Sequence, residues 1–195
     1  MSTQASPSTS YDDARDFIAR VHRLCEDPGK QAALRSGLRR PLDDCKRMHA
    51  LIAPHVRTAR NSNRERAYYA IAAMIAALPP QARGASAESQ RRNFGVCLAQ
   101  GVDRGTLRES AAEARINLLT RQSTEGVHRH LPSAALVLAQ RPADVDWAQL
   151  LLDLRDWDDR RDRITRRWLQ DFYRTRFKSE ELADRPDDAT PNEEN

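Results

Sequence analysis

The sequence predicts an all-α fold, a compact helical bundle in two halves with about eight to nine helices. No stretch alternates apolar and polar residues over five or more positions, the pattern a half-buried strand needs. Apolar residues recur instead at steps of three and four, which gathers them on one face of a helix. Prolines, glycines and acidic or hydroxyl residues fall between these runs, where helices stop and start.

Residues 1–10 are rich in Ser, Thr and Pro and are expected to form a disordered tail. Residues 11–78 are expected to form the N-terminal half. Asp12 and Asp13 open a helix with the apolar face Phe17, Ile18, Val21, Leu24 and Cys25, stopped by Asp27-Pro28-Gly29. From Lys30 a short segment carries Ala32, Ala33, Leu34 and Leu38, edged by Arg35, Arg39 and Arg40. Pro41 suits the first turn of the next helix, with Leu42, Cys45, Met48, His49 and Ile52 facing inward and Pro54 ending it. After a polar loop at 57–62, an alanine-rich helix starts near Asn63 and buries the stripe Ala67, Ile71, Met74, Ile75 and Leu78. Arg64 and Arg66 stand in its first turn, where the helix dipole disfavours cations, and this points to a use for them elsewhere.

Residues 79–88, Pro-Pro-Gln-Ala-Arg-Gly-Ala-Ser-Ala-Glu, read as a mobile loop, and residues 89–178 as the C-terminal half. Phe94, Cys97 and Leu98 mark the apolar side of its first segment, and Gly101 and Gly105 a turn. Thr106 and Glu109 form a Thr-x-x-Glu capping box, so a helix is expected from Leu107 to about Thr120. Leu107, Ala111, Ala114, Leu118 and Leu119 are its expected core side, with Arg108 and Arg115 outward. Pro132 is expected to break or kink the segment from Thr124 to Gln140. Two back-to-back patterns then hold all three tryptophans: Trp147, Leu150, Leu151, Leu154 and Trp157, followed by Ile164, Trp168, Leu169, Phe172 and Tyr173. Asp146 caps the first, Gln149 is placed to reach back to it, and Asp158 and Asp159 open the second. The pair reads as an antiparallel helical hairpin. Residues 179–195 are expected to be an acidic, disordered tail.

The 195 residues suffice to bury a core, and 39% hydrophobic with 31% charged residues is a globular composition. No run approaches the roughly 18 apolar residues of a membrane span, and no basic-then-apolar leader is visible, so a cytoplasmic protein without membrane contact is expected. Cys25, Cys45 and Cys97 are odd in number and lie in apolar-periodic segments, which fits reduced core thiols. The net charge of +4 hides an uneven distribution. Residues 30–178 carry 28 basic and 16 acidic groups between two acidic ends. Such a middle suits a polyanionic partner, although 29 of the 32 basic residues are Arg, which a GC-rich genome also produces.

Catalytic chemistry is sparse. His128 and His130 point roughly 200° apart on a helix, so they cannot share a metal there. Asp156, Asp158, Asp159 and Asp162 could hold Mg²⁺ for phosphodiester cleavage, but Arg155, Arg160, Arg161 and Arg163 interleave them, and capping and salt pairing are the expected roles. Gly95, Gly101 and Gly105 lack the spacing of a phosphate-binding loop, and no nucleophile motif or recognition helix stands out. No catalytic residue, metal or cofactor is expected.

Val145-Asp146-Trp147-Ala148-Gln149-Leu150-Leu151, then Trp157, then Arg166-Arg167-Trp168-Leu169-Gln170-Asp171-Phe172-Tyr173 resembles the C-terminal signature of the CasB family, the small subunit of the type I-E CRISPR Cascade surveillance complex. Gly29-Lys30-Gln31-Ala32-Ala33-Leu34-Arg35 resembles the early basic helix of that family, and Glu113 to Arg121 its Arg-rich central helix. The resemblance spans roughly residues 12–177. It implies an all-helical, non-catalytic subunit present in two copies along the complex, beside the Cascade backbone and large subunits. Its basic surface would track crRNA, the target DNA and the displaced non-target strand, stabilising the R-loop in antiviral defence while a recruited helicase-nuclease cuts.

Carried over to this chain, the resemblance implies nucleic-acid contacts at Lys30, Arg35, Arg39, Arg40, Arg66, Arg115, Arg121 and Arg129. Two departures stand out. The family often has Gly-Arg-Ala-Leu-Ala where this chain has Gly95-Val96-Cys97-Leu98-Ala99, and its loop often offers lysines where residues 79–88 offer only Arg83. Arg91 and Arg92 are placed to compensate; Arg57 and Arg60 carry no assigned role. The rival readings are a helical protein–protein adaptor with Arg-rich faces and a nuclease built on Asp156 to Asp162.

Overall fold

The computed structural model describes residues 7–56, 62–83, 91–142 and 144–183. Among these residues there are nine α-helices and no strand. The helices are α1 (Pro7–Leu24), α2 (Pro28–Arg35), α3 (Lys46–Ile52), α4 (Ser62–Ala77), α5 (Phe94–Asp103), α6 (Glu109–Thr120), α7 (Thr124–Leu138), α8 (Trp147–Arg155) and α9 (Trp157–Ala183). Short 3-10 turns at Leu42–Asp44, Ala53–His55 and Pro80–Ala82 connect some of them. All three cysteines are buried free thiols, and among the described residues no helix is long and apolar enough to cross a membrane.

The core sits around α4. Ala67, Tyr69, Ile71 to Ala76 and Leu78 are all buried, so the helix is covered on more sides than the single stripe expected. Its alanines let α1, α2, α7 and α8 approach closely from different directions. Helices from both sides of residues 79–88 share one apolar cluster reaching from Ala14 to Phe172. Ala82 of the expected mobile loop is buried in a 3-10 turn, and residues 84–88 lie outside the described residues.

Several expected boundaries move for identifiable reasons. α1 includes Pro7 to Ser10, inside the stretch expected to be tail. The helix expected from Pro41 is split: a 3-10 turn leads to Cys45, and only Lys46–Ile52 is α-helical. α6 is capped at Arg108 with no side-chain hydrogen bond, so the Thr106 capping box does not form. Its buried face is Ala112, Ile116 and Leu119, while Leu118 is exposed. Of the expected core side, Leu107 and Leu119 are buried, whereas Ala111 is half-buried and Ala114 and Leu118 are exposed, their places taken by Ala112 and Ile116. Glu109 instead accepts from Arg176 of α9 at 3.0 Å. α7 runs unbroken through Pro132, because Val127, Leu131, Ala134, Ala135 and Leu138 bury one continuous face against the rest of the core. That burial offsets a mid-helix proline costing about 3 kcal/mol.

The tryptophan-bearing pair is not a self-contained hairpin. Asp156 alone separates α8 from α9, and Arg160 is non-helical (φ −134°, ψ 22°). α8 packs mainly on α1 and α4, and α9 on α5. Gly95 explains the α5–α9 approach: a Cβ there would overlap the Trp168 carbonyl oxygen. Trp157 and Trp168 are fully buried, their centroids 5.2 Å apart, with Phe94 5.4 Å from Trp168. Asp146 caps α8 as expected, accepting from Gln149 N at 2.9 Å. The Gln149 side chain does not reach back to it. It donates to the buried Asp153 at 2.6 Å, which also accepts from Trp168 Nε1 at 2.7 Å.

Candidate nucleic-acid interface

The basic edge begins at α2. Asp27 caps the helix, accepting from the Gly29 and Lys30 amides at 2.8 and 3.0 Å, and those donors hold its carboxyl below the usual carboxylate range. Lys30 sits 3.8 Å from the same carboxylate. Arg35 ends α2, exposed, where a cation complements the helix dipole. The chain then turns sharply: Arg39 has φ 63°, a left-handed backbone held by a non-glycine residue. That turn aims its guanidinium at α7, where Nη2 donates to Ser133 Oγ at 2.7 Å.

Ser133 lies four residues beyond Arg129 on α7, so the two exposed side chains share a helix face. Arg39, Arg40 and Arg66 line one narrow crevice of about 10 Å³ with Tyr69 and His128. The structure therefore gathers Arg39, Arg40 and Arg129 where the α2–α3 turn meets α7, with Arg66 beneath them. Arg39, Arg40 and Arg129 make no ion pair among the described residues.

Arg66 is differently placed. Its side chain is only 14% exposed and is gripped at both terminal nitrogens by Glu125 of α7, whose carboxyl is held low by that hydrogen bond. Arg64, likewise, meets Asp159 at 2.5 Å. The two cations that seemed misplaced in the first turn of α4 thus tie that turn to α7 and α9. Asn63 and Thr124 both donate to Asp158, completing the junction of the three helix starts.

The remaining predicted contacts are separate from this patch. Arg115 Nη1 donates to Ala111 O at 2.8 Å, laying its side chain along its own helix. Arg121 is exposed at the C-terminal end of α6, and its carbonyl accepts from Arg161 at 3.4 Å. Arg91 and Arg92 both make contacts with the fold. Arg91 lies 4.9 Å over the Tyr11 ring and donates to Gln149, and Arg92 donates to Gln100. Arg83 donates to Cys25 O at 3.3 Å. Arg57 and Arg60 lie outside the described residues.

His128 is 4% exposed, with neither ring nitrogen hydrogen-bonded. Burial, reinforced by Arg66, pushes its pKa down to about 4, so the ring is neutral at physiological pH. Among the described residues no three His, Cys, Asp or Glu side chains are grouped to hold a metal. In the acidic cluster, Asp156 pairs with Arg155 at 2.9 Å and Arg160 at 3.3 Å. Asp158 and Asp159 are engaged as above. These carboxylates knit helices together.

The model of the CRISPR-associated protein Cse2 family matches residues 30–173. The chain belongs to the Cse2 family. A chain of a solved CRISPR RNA-guided surveillance complex is 35% identical, with 90% of this chain and 99% of that one covered and a TM-score of 0.80. A chain from such a complex in a pre-nicking state is 36% identical, covering 89% and 99%, again at 0.80. The crystal structure of M. ruber CasB, 23% identical over 87% and 98% of the two chains, shares the fold with a TM-score of 0.68. A search of curated proteins returned no match. The Cse2 match contains every predicted contact from Lys30 to Arg129, and it stops at Tyr173 while α9 continues to Ala183. Sequence reasoning missed Ser133, which fixes Arg39 from 94 residues away and carries no local signal.

Proposed function

We propose that this Cse2 chain is the non-catalytic small subunit of a type I-E Cascade surveillance complex. In this reading it sits beside the backbone and large subunits, with a second copy of itself, in the cytoplasm. It holds the sugar-phosphate backbones of the guide-bound target strand and the displaced strand, and so favours the R-loop. Sequence is left to base pairing with the crRNA, as in other RNA-guided systems. The likeness to chains of RNA-guided surveillance complexes supports the assembly.

The observation that carries the nucleic-acid part is the convergence of Arg39, Arg40 and Arg129, exposed and without ion pairs among the described residues. Exposed cations without an ion-pair partner are free to replace counterions on a phosphate backbone. Lys30 and Arg35 extend the contact along α2, Arg115 and Arg121 on and beyond α6 form a second, separate contact, and Arg66 positions α7 through Glu125. The test is a salt titration of single-stranded DNA binding. Replacing Arg39, Arg40 and Arg129 together should lower the slope of log K against log salt by about 2, since each phosphate contact on a single strand contributes about 0.7. A wild-type slope near zero, or one unchanged by the triple variant, overturns the proposal.

A further inference from the structure

The crevice where the α2–α3 turn meets α7 holds a polar side chain that the fold leaves unanswered. His128 lines it from α7, Arg66 and Tyr69 from α4, and Arg39 and Arg40 from the turn. The polar groups beside it have partners. The Tyr69 hydroxyl lies 2.8 Å from His49 Nδ1, and Cys45 Sγ donates to Pro41 O at 3.3 Å. His128 is buried with both ring nitrogens unpartnered, and a buried polar group of that kind calls for a partner.

The neighbouring carboxylates are already engaged. Glu125 uses one oxygen for each terminal nitrogen of Arg66, and Asp158 uses one for Asn63 and the other for Thr124. The other charged groups lining the crevice are the cations Arg39, Arg40 and Arg66. Protonating the ring here would add a cation among cations, and burial with Arg66 holds its pKa down at about 4. An anion arriving from outside reverses that balance, because an opposite charge close by favours the protonated ring.

The crevice offers about 10 Å³, room for one oxygen atom or one water but not for a whole phosphate. Arg39 and Arg40 are the exposed cations of its lining, and their long side chains can swing outward with the rest of a phosphate between them. Arg39 is held in a left-handed backbone conformation (φ 63°), the kind of strain that collects at binding sites.

We propose that this crevice receives one non-bridging oxygen of a strand phosphodiester, with His128 as its innermost donor, and that the ring takes up a proton from solvent as the strand binds. This subsite rests on the reading of Arg39, Arg40 and Arg129 as phosphate contacts. It makes that patch proton-linked, which arginines alone, charged at every working pH, would not.

The probe is oligothymidylate, whose bases and phosphodiesters do not titrate between about pH 5 and pH 7, bound to the full-length chain. With the ring raised toward its ordinary 6.5 in the complex, affinity should rise about tenfold more from pH 7 to pH 5 than it does in His128→Leu. His128→Gln keeps an N–H donor but cannot titrate, so it should lose the same gain while binding at pH 7 as the wild type does. His130→Gln should keep the gain. In NMR, the imidazole signal missing from His128→Leu should titrate at higher pH with oligothymidylate bound than without it. Inorganic phosphate at the same phosphate concentration should not move it.

A wild-type pH response that matches His128→Leu overturns the proposal, as does a gain that survives in His128→Gln or vanishes in His130→Gln. So does a ring that stays neutral under a bound strand, which would mean that water fills the crevice. A signal moved as far by inorganic phosphate would make the crevice a free-anion site and overturn it too. The NMR titration follows the wild-type ring, so it decides even if a variant fails to fold. A missing pH linkage beside a salt slope that still depends on Arg39, Arg40 and Arg129 sinks the subsite and spares the patch.

Discussion

Asp153 and His128 show how differently two buried polar side chains can be treated by one fold. Asp153, 3% exposed, accepts from Gln149, Arg167 and Trp168 Nε1. Burial pushes its carboxyl up, opposed first by Arg167. Asp153→Ala should cost about 3 kcal/mol in urea unfolding, because the Trp168 N–H and the guanidinium both lose a buried acceptor. Asp153→Asn, which keeps an acceptor for Trp168, should cost less. His128 has no partner to lose. Its folded pKa of about 4 lies below the unfolded value of 6.5, so the unfolded chain takes up the proton first. The stability it allows is fully present above pH 6.5 and is lost as pH falls toward 4, by up to about 3 kcal/mol. His128→Leu should flatten that decline without lowering stability at pH 7. Sequence spacing showed that His128 and His130 could not share a metal on a helix, but depth of burial depends on α4 and α7 meeting, and no local pattern encodes that.

At the level of helices, existence was legible and register was not. α4 was readable because an alanine-rich run follows a polar loop, yet its nearly all-round burial was hidden by alanine, which signals no direction. α6 misled because Thr106 and Glu109 have capping-box spacing although the chain enters the helix two residues later. Pro132 misled because the cost of a proline is local while the burial that outweighs it is tertiary. The α5–α9 contact rests on a single absent side chain. Gly95→Ala should separate the two backbones and lower stability by about 3 kcal/mol, read from the thermal midpoint. Gly105→Asn, at φ 71° with open space around it, should be tolerated far better. If both variants melt alike, the close approach at Trp168 is not what requires the glycine.

For the molecule as a whole, the family and the basic middle of the chain could be read from sequence, while the grouping of the cations could not. Arg39 and Ser133 are 94 positions apart, and Arg66 and Glu125 are 59 apart. Nothing in the sequence tells an arginine that welds two helices from one that stays free. The same ambiguity bears on the acidic cluster at the start of α9. Its carboxylates serve Arg64, Asn63, Thr124, Arg155 and Arg160, so the purified chain with Mg²⁺ should leave DNA uncut. Asp159→Ala should cost under about 1 kcal/mol, as an exposed pair does. Mg²⁺-dependent cleavage that disappears in that variant would reverse the assignment.

The burial of all three tryptophans on α8 and α9 gives the protein a built-in optical probe with a restricted view. Trp147, Trp157 and Trp168 are each at most 4% exposed, and the patch residues Arg39, Arg40 and Arg129 lie in the turn after α2 and on α7. Their emission should start blue-shifted and move to the red only when the packing of α8 on α1 and α4 and of α9 on α5 opens. It should stay unchanged when a strand settles on Arg39, Arg40 and Arg129. A spectrum that responds to unfolding but not to nucleic acid would mark the aromatic cluster as a gauge of integrity, read independently of occupancy.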